Sequence, residues 1–225
     1  MINIEQLQQR TARYELADGL SDFQTAILWL VQGVIFWTLV DHAPAWRNVL
    51  NGLRDSLGDS TGRLVAAVIV TALPLLALAG GLWAMRALRR RWLWRETGMV
   101  TPKAWVVPRR VILSGLALTG VVVVLGSLIA IALADGWLML RALFVGMSWG
   151  QAYTLAISAQ QLDLPRYRWL ALGGVVVPLV LAFVPATVGQ FGLVFGLAWT
   201  AALVVSGMSA MLATAALQRE ARDGA

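Results

Sequence analysis

Catalysis or transport inside a lipid bilayer needs reactive or hydrogen-bonding groups at depth, and this sequence supplies few. A charge at the centre of a membrane-spanning helix costs roughly 2.5–3.5 kcal/mol on insertion scales, so ionisable residues there mark function. No Asp, Glu, Lys, Arg or His stands in the middle of any of the long apolar segments. That removes the paired aspartates of an intramembrane protease and the carboxylate relays of proton-coupled carriers. The single His, His42, follows Asp41 at the end of the first segment. The pair would make a weak metal or pH site at most, and a solvated loop imidazole is the simpler expectation. His42 also lies too far from Ser148, Ser158 and Ser206 to pair with them at depth. The absence of Cys excludes disulfides, thiolate chemistry and Cys-ligated metal. No Walker or dinucleotide glycine fingerprint is present. The expectation is a protein without catalytic residues, metal or cofactor.

Three groups of residues remain. The first is the run Arg86–Arg110, which holds eight Lys or Arg and one acid, Glu96. Arg89, Arg90, Arg91, Arg95, Lys103, Arg109 and Arg110 suit a cytoplasmic topology anchor, or a contact with anionic headgroups or an acidic partner. Each such cation contributes on the order of 1 kcal/mol near an anionic leaflet, and the interleaved Trp92, Trp94 and Trp105 fit the same interface. Pro102, Pro108 and Gly98 argue against a presented nucleic-acid-binding fold. The second group is the stripe Gly146, Gly150, Thr154 and Ser158, recurring every four residues with Gln151 beside it. Small residues at that spacing let helix backbones approach closely. The other use of the stripe is a polar pathway with Gln32. The third is the pair Pro74 and Pro178, each about ten residues into an apolar segment. Paired helix breaks in matching segments point to an inverted-repeat transporter; ordinary kinks are the alternative.

The elements that carry these residues follow from composition. Charged residues make up 13% of the chain and hydrophobic ones 59%, against about 25% charged in soluble proteins. The expectation is an all-α polytopic transmembrane bundle of six helices with short interfacial amphipathic helices; the segments lack the alternation of a membrane β-barrel. Residues 1–20 read as an interfacial amphipathic segment, with Ile4, Leu7, Thr11 and Tyr14 on one face and no cleavable signal. Residues 21–218 read as the transmembrane domain, including the 86–110 loop, and 219–225 as a charged tail. Expected spans are Phe23–Val40, Leu64–Met85, Val111–Leu133, Leu138–Ala159, Trp169–Val188 and Phe191–Ala216. Ser21 and Gln24 have capping-box spacing, and Trp46, Val49, Leu50, Leu53 and Leu57 mark a surface helix between the first two spans. Six spans put both termini on one side. Fourteen Lys or Arg then fall on that side and four on the other, which assigns the termini and the basic loop to the cytoplasm. Trp37, Trp46 and Trp137 form the outer aromatic belt, with Trp169 in the inner one. The fourth span, rich in small and polar residues, is expected at the bundle's centre.

Two short pieces carry a resemblance. Tyr14-Glu15-Leu16-Ala17-Asp18-Gly19-Leu20-Ser21-Asp22 resembles the opening of a group of uncharacterised bacterial multi-span membrane proteins. Arg95-Glu96-Thr97-Gly98-Met99-Val100-Thr101-Pro102 resembles their R-x-T-G-x-V loop motif, with Met99 where that group carries an aromatic. The resemblance implies a bacterial inner-membrane setting and no catalytic residue. The functional expectation is association, as a homo-oligomer or a membrane subunit beside a partner. A small-solute permease with an inverted 3+3 repeat is the alternative.

Overall fold

The computed structural model describes residues 19–88, 91 and 109–223. The predicted segment over 3–15, the basic-loop residues Arg89, Arg90, Arg95 and Lys103, and the last two residues lie outside the described residues. The fold is all-α, with no strand among the described residues. Seven helices are seen there: α1 (Leu20–Asp41), α2 (Ala43–Leu57), α3 (Asp59–Leu88), α4 (Arg109–Ala132), α5 (Gly136–Leu162), α6 (Pro165–Ala182) and α7 (Val188–Asp223). By length and composition, three helices among the described residues can cross a membrane: α1, α4 and the Val188–Ala216 part of α7. α5 carries Arg141 and three glutamines. α6 has 18 residues and opens on Pro165-Arg166-Tyr167-Arg168. Neither presents an equally long uninterrupted apolar run.

Local chemistry explains the boundaries, and corrects some expected ones. Gly19, at φ 75°, lets the chain turn into α1 at Leu20, and no side chain caps this end. Ser21 therefore lies inside the helix, not in a capping box with Gln24. His42 alone separates α1 from α2, and a proline in the first turn of α2 fits because its missing N–H has no partner there anyway. α2 buries no residue. Its apolar stripe is half-covered at best, with Val49 and Leu57 exposed. Gly58, at φ 85°, starts the reversal into α3. Asp135 caps α5 by accepting the backbone N–H groups of Trp137 (2.9 Å) and Leu138 (3.3 Å). The predicted span Trp169–Val188 is cut short: α6 ends at Ala182, and Pro185 sits in the connection beyond it. A true capping box does occur, at the start of α7. Gln190 N donates to Thr187 Oγ1 (3.1 Å) and Thr187 N to Gln190 Oε1 (3.2 Å).

The helices stand in a row. α1 lies along α7, α5 lies along both α4 and α6, and α7 also meets α5 and α6. Among the described residues α3 touches only α1 and α2, and α4 touches only α5. α5, in contact with three helices, buries eleven residues. An aromatic core ties α1, α5 and α7 together. Trp29 stacks on Trp199 with centroids 5.6 Å apart, and Phe144 meets Phe36 at 4.6 Å and Phe195 at 5.3 Å, both edge to face. The outer faces are apolar: Leu116 and Val124 on α4, Leu172 and Val180 on α6, and Val205 and Leu212 on α7 are all exposed. An apolar exterior of this kind suits lipid or the apolar face of another membrane protein.

Candidate functional site

Among the described residues, three clusters of polar side chains join helices distant in sequence. The first is a carboxylate at the end of the bundle where α1 begins. Asp22 lies in the first turn of α1 and is 3% exposed. Tyr167 Oη donates to its Oδ1 at 2.8 Å, and Ser206 Oγ donates to its Oδ2 at 2.8 Å. Arg166 Nε stands 3.4 Å from Oδ2, and the guanidinium lies over the Tyr167 ring at 4.9 Å. α6 thus presents two adjacent residues to one carboxylate, and α7 presents a third. Burying a charge is costly unless it is paired and hydrogen-bonded, and here both oxygens are engaged. Through these contacts the carboxylate links α1, α6 and α7.

The second place is mid-span. Pro178 has no N–H, so the carbonyl of Gly174, four residues earlier, loses its helical donor. Ser148 Oγ from α5 donates to that carbonyl at 2.6 Å and in turn accepts Trp199 Nε1 from α7 at 2.9 Å. Trp149 Nε1 reaches the next carbonyl, Val175 O, at 3.3 Å. Neighbouring side chains thereby satisfy what the proline frees. This is why α6 continues through Pro178 unbroken.

The third place is a polar cup at the opposite end of the bundle, where α1 ends. It encloses about 860 Å³ and is lined by residues that include Asp41, Asp135, Trp137, Arg141, Thr187 and Gln190. Arg141 donates to the carbonyl oxygens of Ala182 (2.9 Å) and Ala186 (2.6 Å), closing the frayed end of α6. Thr187 Oγ1 donates to Asp41 Oδ2 at 2.7 Å. Asp22 and Asp41 are nineteen residues apart on α1. At 1.5 Å per residue that is roughly 28 Å, close to the ~30 Å of a bilayer's hydrocarbon core.

The residues singled out from sequence are distributed differently. Gly146 and Gly150 are buried against α4. A Cβ on Gly146 would come within 2.9 Å of Thr119 O, and one on Gly150 would collide with Thr119 Oγ1. The Thr119 hydroxyl lies 3.0 Å from Gly146 O, a hydrogen bond across the contact. Thr154 faces the same helix, with its methyl beside Gly115, and its hydroxyl donates to Gln151 O at 2.7 Å. Gln151 is half-buried and Ser158 is buried. Gln32 points elsewhere: its Nε2 meets Met147 Sδ at 3.6 Å. Gln32 and Thr154 therefore do not converge. α3 runs through Pro74 as one helix, and Pro178 lies fully buried. Of the basic cluster, Arg91, Arg109 and Arg110 are described, and all three are exposed.

Asp22, Arg166, Tyr167 and Arg141 were not among the expected site residues. The available signal was an acid and an arginine at the ends of different apolar segments, on the same predicted side. Comparison with protein-family models, curated proteins and solved structures finds no match.

Proposed function

We propose that the chain is a six-span protein of the bacterial inner membrane that acts by association and not by catalysis, as a homo-oligomer or as the membrane subunit of a complex. The basic loop and both termini face the cytoplasm in this reading, where the loop meets anionic headgroups or an acidic partner. The observation that carries the proposal is the one-sided packing of α4: among the described residues it rests on α5 alone. Its other side carries exposed Leu116 and Val124, and Gly120, whose added Cβ would meet nothing within 4 Å. The polar groups give further support, since the Asp22 and Ser148 clusters are spent on joining helices of the same chain.

The experiment is recovery from the native membrane in mild detergent, with mass determination of what co-purifies. A fixed stoichiometry above the monomer is expected, and Gly120→Leu should lower it without lowering the melting temperature. Recovery of a monodisperse monomer with no partner would count against association. The permease alternative draws its support from the cup around Asp41 and Arg141. Solute uptake into proteoliposomes, abolished by Arg141→Gln, would favour it instead.

A further inference from the structure

α6 and α7 diverge along part of their length and leave a recess between them. Trp169, Gly173 and Val177 of α6 and Ala198 and Ala202 of α7 line it, and Trp199 is also part of its wall. Gly173 has open space where a side chain would go. Trp169, at the recess's end, is 74% exposed, and Arg168 beside it is exposed too. The neighbouring Arg166 is engaged with Asp22.

We propose that this recess holds one acyl chain of an anionic glycerophospholipid, with Arg168 and Trp169 at the headgroup. Four observations carry this. The lining is almost wholly apolar, so a polar solute gains nothing by entering. The recess holds about 90 Å³, room for a few methylene groups of a chain lying along it. Along α6 it runs from Trp169 to Pro178, nine residues or roughly 13 Å, which is about the depth of one leaflet. The cation and the indole stand at one end of that run, as an anionic headgroup requires. The same end holds the Asp22 cluster, so the bound lipid would belong to the leaflet on the basic side. The inference rests on the proposal that α6 crosses the bilayer.

The test uses the whole protein in liposomes with phosphatidylglycerol carrying a photoactivatable group midway along one acyl chain. After illumination, adducts are mapped by mass spectrometry of peptides. The expected result is adducts enriched on residues 169–178 and 195–202 above those on exposed Ile27 and Val34 of α1. Replacing the probe by the phosphatidylcholine analogue, or Arg168 by Gln, should reduce that enrichment about fivefold. Labelling on Ile27 and Val34 of α1 with none in the recess would overturn the lipid site while leaving the membrane-spanning proposal standing. Labelling of neither would overturn both. Gly173→Leu, which fills the recess, should remove the enrichment in a protein that still melts as the wild type does. Enrichment that persists would overturn the site.

Discussion

Asp22 shows how much one residue's role depends on distant chain. Its partners Tyr167 and Ser206 are 145 and 184 residues away in sequence. From sequence alone, Ser21, Asp22 and Gln24 look like the start of a helix, and a cap was the natural expectation. The fold starts α1 on Gly19 instead and turns Asp22 inward, because α6 and α7 bring a phenol, a hydroxyl and a guanidinium to it. Asp22→Ala should strip the buried Tyr167 and Ser206 hydroxyls of their shared acceptor and lower stability by about 3 kcal/mol. Tyr167→Phe removes one hydrogen bond to a charged acceptor and should cost less, roughly 1.5–3 kcal/mol. Thermal unfolding in detergent, followed by circular dichroism, checks both. An Asp22→Ala protein melting with the wild type would show that the cluster does not hold the helices. Pro178 makes the same point. Its place in a span was plain from sequence; that Ser148 and Trp199 would answer the carbonyl it frees was not.

At the scale of elements, the glycines divide into two kinds that look identical in sequence. Gly150 touches Thr119 and Gly115 of α4, and Gly196 lies against Trp29 and Gly33 of α1, 2.7 Å from the Trp29 carbonyl once a Cβ is added. Gly120, on the opposite side of α4, meets nothing. Gly150→Leu should therefore separate α4 from α5 and yield a poorly folded protein, whereas Gly120→Leu should fold normally. Yield and melting temperature of the two variants decide this; equal behaviour would contradict the α4–α5 interface. The four-residue spacing from Gly146 to Ser158 suggests a packing stripe, and Gly146, Gly150 and Thr154 of it lie against α4. It did not identify α4 as the partner, because spacing reports one face of one helix and not what lies opposite. The α7 capping box of Thr187 and Gln190 is legible in principle, but a span drawn over Trp169–Val188 takes in Pro185 and carries the boundary past Thr187.

For the whole molecule, the proposed six-span threading makes a direct prediction. The chain has no Cys, so single cysteines can be introduced without background. Asn51→Cys on α2 should react with an impermeant maleimide in intact cells. Arg91→Cys should react only after the membrane is opened. The reverse pattern would invert the topology, and labelling of both from outside would reduce the number of crossings. Composition and charge placement alone determined that the chain is helical, that its long segments are apolar, and where its cations cluster. These are additive properties, each residue contributing its own transfer energy wherever the chain goes. Tertiary structure alone decided the order of the helices in the row, the burial of Asp22, the pairing of Pro178 with Ser148 and Trp199, and the one-sided placement of α4. Those depend on contacts between residues far apart in sequence, and nothing local to either partner encodes them.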